Sequence, residues 1–259
     1  MAHYLTVEEA RPMSGLRLVV TAHVPGLWSE ACKALFDAKK VPYLLVEQVV
    51  GGENLALKEW TAQTSGPVAI WEDERPRSTW IEQLYLAERL APEPALIPAD
   101  MGDRMTMFGL CNELCGEHGF GWNLRLRMMH LAKANPDKVD ENSKELLRKL
   151  SDKYNYDVAA VDPGRAQQRH VVGLLRDRLR DQQDKGHDFL IGNALSALDI
   201  YWSAMAGAID PLPEALCPNM PAPMRAGYTD PELTEIAGPA LLAHRDRIYR
   251  DFLKLPMDF

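Results

Sequence analysis

Three prolines fall within seven positions of the segment Ala91-Pro-Glu-Pro-Ala-Leu-Ile-Pro98. Proline has no amide hydrogen and clashes with the preceding helical turn, so no helix or inner strand runs through such a stretch. The segment therefore divides the chain in two, and the two sides differ in texture. Before it, short apolar runs alternate with amphipathic periods. After it, apolar residues recur at helical spacing over about 101–120, 122–134, 140–156, 164–184, 196–208 and 231–253, and no further strand is legible. The proline-rich stretch 210–230 reads as an ordered connecting loop.

The first side reads as follows. Residues 1–15 form a loose leader. Leu16 to Thr21 is a buried strand, and His23-Val-Pro-Gly26 is a loop. Trp28, Ala31, Cys32, Leu35 and Phe36 mark one face of a helix running to Lys39. Pro42 to Val50 is a second strand, broken by Gly51-Gly52, and Glu53 to Ala62 is a short helix. Gly66-Pro67 opens a third strand, Val68 to Trp71, and a very short fourth precedes Ser78. From Thr79, the residues Trp80, Ile81, Leu84, Tyr85 and Ala87 form a second helical face, with Glu82 and Glu88 left for solvent. The order βαβ followed by αββα predicts a small mixed sheet with helices on both sides, the thioredoxin-like order. The predicted fold class is thus an α/β thioredoxin-like domain, residues 1–90, followed by an all-α domain, residues 99–259.

Composition narrows the function classes. A net charge of −8 argues against a nucleic-acid partner, because neutralising phosphates needs a basic surface. The densest basic stretch, Arg165 to Arg180, carries Val171, Leu174, Leu175 and Leu179 at helical spacing and reads as a solvated helix face. Four cysteines are too few for a disulfide scaffold at this length. Cys111, Cys115 and His118 share a helical face, but CxxxC lacks both a fourth ligand and a common zinc spacing, so no metal is expected and the cysteines read as small apolar residues. Met1 to Met13 carries acids and no apolar run, so it does not read as a secretory signal. The most apolar stretch, Phe189 to Ile209, holds Asp199, which would cost roughly 2.5–3.5 kcal/mol inside a membrane. A core helix, no membrane and a cytoplasmic setting are the expectation.

Ser196-Ala-Leu-Asp199 has the form of a capping box. The Ser196 hydroxyl can accept the amide proton of Asp199, and the Asp199 carboxylate can reach back to the Ser196 amide. Leu195 and Ile200 stand at the staple positions, and the helix that follows is apolar nearly all round. Asp199 is read as structural.

Together these features resemble the glutathione transferase superfamily. Gly192-x-x-x-Ser196-x-x-Asp199-Ile200 resembles the buried capping motif of its C-terminal domain, and Gly66-Pro67-Val68 its strand start with a cis proline. Ser78-Thr79-x-Ile81-x-x-x-Tyr85-Leu86 resembles its Glu-Ser-x-x-Ile-x-x-Tyr-Leu stretch, with Ile81 one position early. Trp28 to Tyr43 resembles the first helix and the strand after it. The resemblance implies a cytoplasmic homodimer with glutathione as cosubstrate and a role in detoxification. Trp28, Gly66, Pro67, Ser78 and Thr79 are the implied glutathione-binding residues. Gly66 would offer backbone groups to the cysteinyl part, and Thr79 with its amide would hold the γ-glutamyl carboxylate. Ser78 stands where the family has an acid.

The main departure is the thiol-activating position. Alignment through Trp28 puts Gly26 in the family's Ser or Cys slot. Ser29 is the nearest hydroxyl and the candidate catalytic residue; it either donates to the sulfur or caps the helix. His23 and Thr21 are also close, and helix-terminal amides alone could favour the thiolate. Met107, Phe108, Asn112, Phe120 and Trp122 are candidate cleft residues, with core or dimer packing the blander role for each.

Two functions remain in view. The first is attack of a glutathione thiolate on a small apolar electrophile, and the second is a non-catalytic binding or assembly module of the same fold. A disulfide oxidoreductase is disfavoured, because Cys32 lies inside the first helix on its apolar face rather than at the helix start.

Overall fold

The computed structural model describes residues 2–138 and 140–259. Three strands form one sheet: β1 (Leu16–Thr21), β2 (Tyr43–Gln48) and β3 (Val68–Trp71). The order is β2-β1-β3, with β1 parallel to β2 and antiparallel to β3. The central strand is apolar at most positions and is buried from Leu16 to Val20, as a strand covered on both faces must be. Eleven α-helices complete the described chain: α1 (Val7–Ala10), α2 (Leu27–Ala38), α3 (Leu55–Thr61), α4 (Trp80–Leu90), α5 (Met101–Cys115), α6 (Phe120–Ala134), α7 (Glu141–Lys153), α8 (Val161–Gln183), α9 (Ala197–Ala206), α10 (Ala222–Gly227) and α11 (Pro231–Phe252). The predicted architecture, a thioredoxin-like sheet followed by helices only, is the one observed.

The leader is not loose, although Met1 lies outside the described residues. Thr6 and Glu9 form a capping box at the start of α1, and Leu5 pairs with Val46 at the edge of β2. The predicted fourth strand reduces to one bridge, in which Ala69 and Arg77 exchange backbone hydrogen bonds of 2.9 Å. The 210–230 connection contains a short helix, α10, unread in the sequence because its six residues are too few to show a period. Within α11, Gly238 has φ of 67° ahead of Pro239, so the helix is kinked there.

Glu82 and Glu88 are not left for solvent. Glu88 pairs with the fully buried ammonium of Lys39 at 2.5 Å and accepts the amide of Leu96 at 2.9 Å. Lys39 also donates to the Ala91 carbonyl at 2.7 Å. Leu96 is wholly buried, and its carbonyl accepts the Ala197 amide at 2.9 Å. The proline segment is thus pinned to both sides, and one hydrophobic cluster runs from Leu18 and Phe36 through Leu96 to Tyr201 and Leu241. Among the described residues no helix is long and apolar enough to cross a membrane.

The start of α9 is a buried polar knot. Asp199 is fully buried and accepts from the Leu190 amide (2.9 Å), the Ser196 amide (2.9 Å) and the Ser196 hydroxyl (2.6 Å). His244 Nε2 of α11 lies 2.8 Å from its Oδ1. Both halves of the predicted reciprocal box are present, and the Ser196 hydroxyl in addition donates to the carboxylate.

Candidate functional site

The end of β1, the start of α2 and the start of β3 converge on a few atoms. The Gly66-Pro67 peptide bond is cis. A Cβ on Gly66 would lie 2.9 Å from the Val19 carbonyl oxygen and 3.4 Å from the Thr21 amide, so only glycine lets this backbone lie against β1. The Thr21 amide donates to Ser29 Oγ at 3.3 Å. A Cβ on Gly26 would lie 3.3 Å from that same oxygen, which therefore borders the slot that Gly26 leaves empty. Gly26 is the N-cap of α2, and no side chain caps the helix, so Ser29 does not have the capping role. Ser29 is buried, at 3% exposure. His23 is exposed and turns its ring toward Tyr4, with centroids 5.3 Å apart.

Trp28 reaches into the helical part. Its Nε1 donates to the Cys115 carbonyl at 2.8 Å, and the Arg125 guanidinium lies 5.0 Å over its ring. A cavity of about 170 Å³ opens between Thr21, Ser65 and Gly66 on one side and Arg125, Lys153 and Tyr154 on the other. Gly51 brings α7 onto this cleft: its φ is 70°, and a Cβ there would strike Leu146 at 2.5 Å. None of Met107, Phe108, Asn112, Phe120 and Trp122 lines this cavity. Met107 and Phe120 are fully buried in the core, and Phe108 packs on Trp80 and Tyr85.

Ser78 and Thr79 precede α4 and do not line this cavity. Gln83 of α4 ties the strand start to the segment before the helix, its amide nitrogen donating to Pro67 O (3.2 Å) and Arg77 O (3.3 Å). Thr79 is the N-cap of α4, and its donors are already engaged. Glu82 Oε2 accepts from the Ser78 amide (3.3 Å), the Thr79 amide (3.3 Å) and the Thr79 hydroxyl (3.0 Å). Arg75 holds the other oxygen at 2.6 Å. Burial alone would raise the Glu82 pKa, but the bonds from Arg75 and Thr79 outweigh it and hold the carboxyl below its ordinary range. Thr79-x-x-Glu82 is legible as a capping box once Thr79 is taken as the cap.

The cysteines offer no reactive thiol. Cys32, Cys111 and Cys115 are buried, and burial pushes their thiols well above the usual value. A larger cavity, about 400 Å³, follows the Glu30–Lys33–Asp37 stripe of α2. Along that stripe Lys33 is bound to Glu30 (2.8 Å) and to the Asp258 carbonyl (2.8 Å), and the Tyr43 hydroxyl is bound to Asp37 (2.9 Å).

No protein-family model and no curated protein sequence matches the chain. Solved structures do. The β-etherase LigF from Sphingobium sp. strain SYK-6 is similar with a TM-score of 0.61 and 18% identity, over 90% of this chain and 94% of that one. A glutathione S-transferase from Methylobacterium radiotolerans, solved in complex with glutathione sulfonate, matches with a TM-score of 0.55 and 15% identity over 89% and 94%. Monomeric Na-GST-3, a glutathione S-transferase from the hookworm Necator americanus, matches with a TM-score of 0.57 and 13% identity over 92% of each chain. The chain has the glutathione transferase fold.

Proposed function

We propose that the chain binds glutathione against Gly66 and Pro67 and directs its thiolate at a small electrophile, with Ser29 donating a hydrogen bond to the sulfur. The observation that carries this reading is the Ser29 hydroxyl, held by the Thr21 amide beside the slot that Gly26 leaves open and next to the Gly66 backbone. Its oxygen accepts from Thr21, and a hydroxyl that accepts one bond can donate its own proton to the sulfur. A free thiol titrates near ~8.5, and lowering that by two units takes about 2.7 kcal/mol of preference for the thiolate. One hydrogen bond to a charged sulfur supplies about 1.5–3 kcal/mol, and the amides at the start of α2 add to it. The thiolate then forms a carbon–sulfur bond as the electrophile's leaving group departs, or adds to the electrophile to give a thioether.

On this reading the γ-glutamyl carboxylate takes the place of Glu82 at the Ser78 and Thr79 amides, and Trp28 fixes the start of α2 against the helical part. Solution of the Methylobacterium protein with glutathione sulfonate supports the ligand class. A cytoplasmic homodimer belongs to the same proposal. Exposed Tyr85, Met101 and Met105 on α4 and α5 offer an apolar face for it, and sedimentation velocity would test it.

The test has two parts. Calorimetric titration with glutathione should show binding that tightens in Glu82→Ala, because the competing internal carboxylate is gone. With chlorodinitrobenzene, Ser29→Ala should lower turnover about 10- to 100-fold and shift the pH–rate profile to higher pH. Absence of glutathione binding in both wild type and Glu82→Ala would end the proposal. Glu82 itself favours a second reading, a non-catalytic module of the same fold, since it fills the donors that a γ-glutamyl group needs. Binding without turnover would select that reading.

A further inference from the structure

We infer that the second ligand of the Gly66 cleft carries a carboxylate or a like anion, held by Arg125 of α6 and by Lys149 and Lys153 of α7. As a statement about the second substrate this rests on the glutathione reading; as a binding site it stands on the cleft alone.

The cavity lining includes these three cations and no carboxylate. Among the described residues none of the three forms an ion pair. That is unusual in a chain of net charge −8, where other basic groups find acids: Lys33 with Glu30, Lys39 with Glu88, Arg148 with Glu145, and Arg165 with Asp230 and Glu232. The acids within one turn of Lys149 along α7 are Glu145 and Asp152, and Arg148 engages both, Glu145 bidentately at 2.8 and 2.9 Å and Asp152 at 3.3 Å.

Arg125 is the centre of the cluster. Its guanidinium is braced between the rings of Trp28 (5.0 Å) and Tyr154 (5.3 Å), which fix its plane, and its Nε is buried with no hydrogen-bond partner. A buried donor without an acceptor is costly, and an anion in the cleft would relieve it. Lys149 and Lys153 stand four residues apart on one face of α7. Lys149 Nζ has one weak contact, the Gly51 carbonyl at 3.3 Å, and Lys153 lies 5.7 Å over the Tyr154 ring. Desolvation at the cleft wall, and after it the Arg125 charge, lowers the pKa of Lys153, as expected for cations crowded without a counter-charge. Leu150 and Tyr154 supply an apolar wall beside the cations, against which an aromatic ring can pack. An aromatic acid fits these features where a purely apolar electrophile would leave three charges unanswered.

The experiment compares 3,5-dinitrobenzoate with 1,3-dinitrobenzene by calorimetric titration, with and without glutathione. It uses the wild-type chain, Lys149→Gln/Lys153→Gln and Arg125→Gln. The wild type should prefer the benzoate by at least about tenfold, and each variant should lose most of that preference while keeping its affinity for glutathione. Both lysines are exposed, so the double variant keeps the test valid if Arg125→Gln fails to fold. Equal affinity of the wild type for both probes would overturn the inference, as would a preference intact in the variants. Loss of glutathione affinity in the variants would overturn it too, by giving the cluster to the tripeptide's own carboxylate. A wild type that prefers the benzoate but binds no glutathione would uphold the anion site and sink the transferase reading alone.

Discussion

Helices α4 and α9 begin with the same four-residue grammar, Thr79-x-x-Glu82 and Ser196-x-x-Asp199, yet the two starts do different work. At α4 the cap lies at the surface, with Ser78 and Thr79 exposed and Arg75 holding Glu82 from outside. At α9 the carboxylate is fully buried and serves Leu190, Ser196 and His244 at once. Water can replace Glu82 at little cost, and so can another carboxylate. Nothing can replace Asp199, because each donor it leaves would stay unpaired inside the core. The difference lies in the surroundings of the motif: an exposed cap is exchangeable and can serve as an anion site, whereas a buried cap is part of the frame.

The largest effect should come from Asp199→Ala. It orphans two amides and a hydroxyl, at about 1–3 kcal/mol for each buried group, so urea unfolding should show a loss of at least about 3 kcal/mol. A loss no larger than that of Glu82→Ala would break the comparison. Ser196→Ala removes one donor but leaves the carboxylate its amides, and should cost about 1–2 kcal/mol in the same measurement. Glu82→Ala should cost about 1 kcal/mol or less while tightening glutathione binding, a pairing of lost stability and gained affinity that a purely structural cap would not give.

The smallest effect is a pH dependence. Hydrogen bonds from Arg75 and Thr79 outweigh burial and depress the Glu82 pKa in the fold. Its contribution to stability is therefore fully present above the unfolded value of about 4.3 and is lost as pH falls through the lower folded value. The stability gap between wild type and Glu82→Gln should close below about pH 4. A gap that persists to about pH 2 would show that charge plays no part in the cap.

Much of the frame was legible. β1 announced itself as a continuous apolar run, Gly66-Pro67 as a strand start, and α9 as an apolar helix behind its cap. The misses have physical causes. The leader looked loose because Leu5 is held by a backbone pairing with Val46 that leaves no side-chain pattern. Glu82 looked like a solvent residue because its role depends on where α4 begins. Of the site, the sequence singled out Gly26, Ser29 and Gly66, and the structure shows Ser29 Oγ beside Gly26 and the Gly66 backbone packed against β1. Arg125, Lys149 and Lys153 went unread, because each alone is an ordinary polar position on an amphipathic helix.

Local rules therefore determined which stretches are strands, which are helices and which four-residue motifs can cap them, since those depend on residues one to four positions apart. The tertiary structure decided which cap is buried, which backbone packs against β1 at Gly66, and which cations face one another without an acid. Burial and charge balance depend on what the rest of the chain brings alongside, and residues some 25 and more positions apart meet only after folding.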